Sequence, residues 1–110
     1  MYPSEYAEQV AVCSLLSTAG VFYFSIPNEH RDVKTIPRLK KAGMVPGMPD
    51  LCILHDGTAY FLEMKRIGGR VDDHQYAIHH ALERMGYHVA VAYGYADAVR
   101  IIDEWGIIRI

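Results

Sequence analysis

Residues 49–65 read PDLCILHDGTAYFLEMK, and this stretch decides the fold. Two apolar runs, Leu51–Leu54 and Thr58–Lys65, flank Asp56-Gly57. Asp-Gly is a preferred centre for a two-residue hairpin, because both positions there take a positive φ. Such a turn fixes the register: His55 faces Thr58, Leu54 faces Ala59, Ile53 faces Tyr60 and Cys52 faces Phe61. Asp50 then lies opposite Glu63, with Cβ atoms roughly 4.5–5.5 Å apart and two like charges on one face. Lys65 shares that face because strand side chains alternate, while Tyr60, Leu62 and Met64 point to the other, core side. A three-residue turn would slip the register and separate the pair.

Two carboxylates at this spacing suit a hard divalent cation such as magnesium, which is held by one or two protein oxygens and completes its shell with water and phosphate. The other reading makes Asp50 a turn residue and Glu63–Lys65 an exposed ion pair worth little. The hairpin by itself leaves both open.

Outward from the hairpin, helix and strand signals alternate. Ser4 is a good N-cap for a first helix, Glu5 and Glu8 sit in the turn where the dipole favours anions, and Tyr6, Val10, Cys13 and Leu16 recur at helical spacing up to Gly20. Val21–Ile26 reads as a strand stopped by Pro27. Thr35–Ala42 reads as a short helix containing Pro37, and Met44–Pro49 as a stiff loop in which Gly47 can take a positive φ. Beyond Gly68-Gly69, Asp72 caps a helix over 73–85 closed by Gly86. His88–Tyr93 is a strand, 96–104 a helix with Val99 and Ile102 inward, and Ile107–Ile110 a last short strand. The order α-β-(α)-β-β-α-β-α-β predicts an α/β fold, a mixed β-sheet flanked by helices, in one domain spanning 1–110.

Composition narrows the function classes. With 51% hydrophobic and 22% charged residues the chain is an ordinary globular one, which excludes disorder. At this size the core is modest, so self-association would add useful stability. The uncharged run between Gln9 and Glu29 is too polar for a membrane span, and no basic stretch precedes an apolar segment at the start, so a cytoplasmic protein is expected. Cys13 and Cys52 read as free thiols rather than a disulfide or metal pair. The net charge of -2 first argues against nucleic acid. Its distribution does not: Arg31–Arg70 holds eight basic residues against four acidic, and the rest three against nine. Either this is a solvated face of mixed charge or it meets phosphates.

Pro49-Asp50, a hairpin, then Glu63-Met64-Lys65 resembles the PD-(D/E)xK nuclease core. The surrounding string is more specific. Gly43-Met-Val-Pro-Gly-Met-Pro-Asp-Leu, Phe61-Leu-Glu-Met-Lys, Gly69-Arg70-Val71, Gln75 with Leu82, and Gly86-Tyr-His-Val-Ala-Val resemble the VRR-NUC family over about Glu5 to Tyr93. These are small stand-alone nucleases of phages and the nuclease module of a DNA-repair enzyme.

The resemblance implies a restriction-endonuclease-like core and an endonuclease that hydrolyses DNA phosphodiesters with Mg2+, Mn2+ being able to substitute. Asp50 and Glu63 would bind the metal, and Lys65 would orient or activate the attacking water. A carboxylate of the first helix joins them, Glu8 by distance from Gly20, with Glu5 on the same face as the other choice. The family's helix glutamine maps onto Gln75, which equally reads as the last residue of a capping box begun by Asp72. Arg31, Lys34, Arg38, Lys40, Lys41, Arg66 and Arg70 would contact phosphates without reading bases. The implied substrate is branched DNA, a Holliday junction or flap, cut by a homodimer of a phage-type protein. The rivals are a non-catalytic DNA-binding subunit and a sequence-specific restriction-type nuclease. Asn28–Arg31 is either a family-like polar stretch or a solvated loop. No Cys or carboxylate completes a zinc set around His74, His79 and His80, so these read as surface or half-buried histidines. Tyr2, Tyr6 and Tyr95 are candidates for base stacking or for ordinary packing.

Overall fold

The computed structural model describes residues 1–27 and 35–109. Arg31, Lys34 and the Asn28–Arg31 stretch therefore lie outside the described residues. The elements are α1 (Glu5–Thr18), β1 (Phe22–Ser25), α2 (Thr35–Lys41), β2 (Leu51–His55), β3 (Thr58–Lys65), α3 (Asp73–Arg84), β4 (His88–Tyr93) and α4 (Tyr95–Glu104). They form a mixed sheet in the order β1-β2-β3-β4, with three antiparallel strands and β4 parallel to β3.

The hairpin adopts the expected register, Leu51↔Leu62 through His55↔Thr58. Asp56 (φ 48°) and Gly57 (φ 74°) both lie in the left-handed region, as a type I′ turn requires. A parallel partner for β3 needs a crossover, and α3 supplies it. Its start is fixed by a reciprocal capping box: Gln75 N donates to Asp72 Oδ1 (2.8 Å) and Asp72 N to Gln75 Oε1 (3.1 Å).

One face of the sheet carries the core. Leu51 and Ile53 of β2, Leu62 and Met64 of β3, and Ala92 of β4 pack beneath Val12 and Leu16 of α1 and Ala98, Ile101 and Ile102 of α4. Leu62 and Met64 are fully buried, each contributing about 1.5–3 kcal/mol relative to exposure. The opposite face carries Phe61, Glu63 and Lys65, and α3 packs there along β4. None of the described helices is long and apolar enough to cross a membrane. Cys13 and Cys52 are free thiols.

Three expectations are corrected. The buried stripe of α1 is Glu8, Val12 and Leu16, while Tyr6 and Val10 are exposed. Apolar residues ring this helix, so their spacing does not select a face, and packing turns its glutamates toward the strand ends. In α4 the buried residues are Ala98, Ile101 and Ile102, with Val99 only half-buried; small Ala98 lets the helix lie close to the sheet. Residues 107–109 form no strand. The chain turns directly after α4, Ile107 N donates to Ile102 O (3.2 Å), and the Ile107 side chain is buried by packing under the helix rather than by strand pairing.

Candidate active site

The hairpin register places Asp50 and Glu63 at the position just beyond Leu51↔Leu62, where β2 begins and β3 is ending. Asp50 is held by its backbone and its side chain together: Ile26 N donates to Asp50 O (2.8 Å), and Met64 N donates to Asp50 Oδ2 (2.7 Å). Burial of Pro49 and a close loop approach fix the chain just before it. Gly47, at φ +90°, packs against the start of α3, where a Cβ would lie 2.8 Å from His74 Cδ2 and 3.2 Å from His74 O.

Glu5 comes from the first turn of α1, whose N-cap Ser4 Oγ accepts from Ala7 N (3.1 Å). One carboxylate oxygen from each of Glu5, Asp50 and Glu63 lies within 4.8 Å of the others. Glu8, the first choice from sequence, lies outside this group. Its Oε2 points instead at Gly94, where a Cβ would approach to 2.6 Å, and the side chain is buried between α1 and the β4–α4 junction. An open cleft of about 590 Å³, lined in part by Glu5, Tyr6, Gln9, Val10, Ser25 and Asp50, leads to the carboxylates.

Glu63 is 1% exposed and flanked by nitrogens on two sides. Gln75 Nε2 lies 3.5 Å and Lys65 Nζ 3.9 Å from Oε2. His79 Nε2 lies 3.6 Å from Oε1. Gln75 makes both contacts at once, its Oε1 capping α3 and its Nε2 reaching Glu63. The Asp50 carboxyl is pushed up to about 7, first by burial and then by the neighbouring Glu63 charge and hydrogen bond. Burial lowers the His79 imidazole. Three hard oxygen donors, with Asp50 kept partly protonated by burial and then by the Glu63 charge, are a donor set that fits a divalent cation.

The sequence reads His79 as a surface or half-buried histidine, whereas it is 5% exposed against Glu63. Its spacing of four from Gln75, which puts both on one helix face, was the available signal. His74 and His80 remain exposed. Of the basic residues, Arg38, Lys40 and Lys41 stand exposed on α2, which buries none of its residues, and Arg66 and Arg70 are exposed after β3. Tyr2 and Tyr6 are exposed, while Tyr95 packs against the core.

A hairpin that aligns Asp50 with Glu-x-Lys, crossed over by a helix that presents a glutamine, defines the PD-(D/E)xK class of nuclease fold. The VRR-NUC domain matches residues 23–96, so the chain belongs to the VRR-NUC family. A solved structure titled "VRR_NUC domain protein" is similar at TM-score 0.71 and 19% identity, over 96% of this chain and 89% of that one, which bears on the fold alone. No curated protein matches the chain.

Proposed function

We propose that this nuclease is a Mg2+-dependent endodeoxyribonuclease, with Mn2+ able to substitute, that cuts branched DNA such as Holliday junctions or flaps as a homodimer in the cytoplasm, on phage or host DNA. The observation that carries this reading is the approach of Glu5, Asp50 and Glu63 within 4.8 Å beside Lys65. Glu5, Asp50 and Glu63 would hold the cation, with Glu5 taking the place sequence spacing gave to Glu8. Bound there, a divalent cation polarises the phosphodiester and lowers the pKa of water.

The chain's own residues do the rest. Lys65 sets a fixed positive charge beside the reacting phosphate and orients the attacking water, electrostatic help of the kind worth about 10²–10³ in rate. Gln75 holds Glu63 through Oε2, and the Met64 amide holds Asp50 through Oδ2. Exposed Arg38, Lys40, Lys41, Arg66 and Arg70, with Arg31 and Lys34, would bind phosphates and set the duplex register by shape rather than base sequence. Support for a second copy comes from the edge strand β1. Phe22 and Phe24 are exposed on the same sheet face as Leu54, an apolar surface that an edge strand rarely leaves open.

The test is cleavage of a synthetic four-way junction, a flap and a random-sequence duplex, with Mg2+ or EDTA, alongside sedimentation of the protein. Mg2+-dependent cutting of the branched substrates by a dimer, lost in Lys65→Ala, is the expected result. Equal activity in Lys65→Ala overturns the mechanism. Persistent binding without product supports a non-catalytic subunit, and cutting confined to particular duplex sequences supports a restriction-type enzyme.

A further inference from the structure

Glu63 has nitrogen neighbours at both carboxylate oxygens. Its Oε2 is approached by Gln75 and Lys65, whereas Oε1 faces His79 Nε2 at 3.6 Å. His79 is 5% exposed, and its Nε2 is buried without a hydrogen-bond partner among the described residues. An apolar side chain would fill the same volume without the cost of desolvating a polar nitrogen, so the imidazole needs a use for that atom. Its direction is well determined. His79 follows Gln75 by one helical turn, the capping box sets the start of that helix, and Gly47 packs against His74 and Ile78 on the turn between.

We propose that His79 is a positioning residue for the metal centre: its Nε2–H donates to Glu63 Oε1 and, with Gln75 on Oε2, clamps the carboxylate plane toward Glu5 and Asp50. The gap has to shorten by roughly 0.6 Å to reach the usual N–H···O length of about 3.0 Å, a movement within reach of small side-chain rotations. The tautomer required carries its proton on Nε2. Partners of this kind, one step removed from the metal, fix the orientation of a ligating carboxylate. The inference rests on the reading of Glu5, Asp50 and Glu63 as cation ligands.

The experiment is titration of the metal-free chain with Mn2+, followed by electron paramagnetic resonance without DNA, for wild type, His79→Ala, His79→Leu and His79→Gln. Thermal unfolding and Mn2+-dependent cleavage are measured on the same samples. His79→Ala and His79→Leu should weaken Mn2+ binding about 10–100-fold, and His79→Gln, whose amide can donate from a similar place, should recover to within about threefold of wild type. The metal concentration for half-maximal cleavage should shift in parallel while KM for DNA holds. Folded His79→Ala or His79→Leu protein that binds Mn2+ like wild type overturns the proposal. So do losses that track thermal stability with Leu recovering and Gln not, the pattern of a packing residue. Should His79→Ala fail to fold, the two volume-filling variants decide between the same outcomes. Wild type that binds and cleaves while the variants match it removes His79 alone. Wild type that neither binds Mn2+ nor cleaves removes the metal-site reading and His79 with it.

Discussion

Loading the site should expel a proton. Asp50 titrates at about 7 because it is buried beside Glu63, and a carboxyl must be deprotonated to ligate a cation. At pH 6 the carboxyl pair then holds about 0.9 of a proton at this position, and at pH 8 about 0.1, so apparent cation affinity should rise about tenfold between the two. Calorimetric titration with Mn2+ in two buffers of different ionisation enthalpy counts the protons directly. The expected release is close to one per ion at pH 6, about a half at pH 7, and little at pH 8. Asp50→Asn should abolish the release and weaken binding at every pH. Wild-type affinity that is the same at pH 6 and pH 8, with no proton released, would refute the claim that burial beside Glu63 keeps Asp50 protonated near neutral pH.

The same group predicts a stability trend. Its folded pKa of about 7 lies above the ordinary 3.8, so the folded state holds the extra proton, and this contribution, complete below pH 4, is lost as pH rises through about 7. In EDTA, the Tm of wild type should fall from pH 5 to pH 8 relative to Asp50→Asn. Lys65→Ala should lose about 10²–10³ in kcat with its Tm nearly unchanged, measured by single-turnover cleavage. Gly47→Ala places a Cβ against His74 in a backbone region L-residues avoid, and should cost about 1–3 kcal/mol in urea unfolding. Asp72→Ala removes the N-cap of α3 and should cost about 0.5–2 kcal/mol by the same measurement.

The hairpin was readable because its turn chemistry leaves one register open. Asp56-Gly57 selects the I′ turn, and the pairing that follows carries Asp50 to Glu63 without tertiary information. The capping box of α3 was readable for a similar reason, being a contact between residues three apart. Glu5 and Glu8 were not separable, since both lie on one face of α1 and only the angle at which that helix meets β3 and α4 decides which carboxylate reaches the strand ends. His79 escaped because its partner is sixteen positions away on a strand, and the one local mark of its burial is the spacing of four from Gln75. The last segment misled for the opposite reason: Ile107 and Ile108 look like a strand locally, but Ile107 finds its apolar surroundings directly below α4.

The two ends of the Gln75 amide restrict what can stand at that position. For capping alone, glutamate serves as well as glutamine, since either can accept from the backbone N–H of Asp72. A glutamate there would face Glu63 with a second negative charge where the glutamine places an N–H at 3.5 Å. Asparagine keeps the donor but is a methylene too short to span both contacts. Two mild demands, one from a helix end and one from a buried acid, thus combine into a strict one that neither glutamate nor asparagine meets.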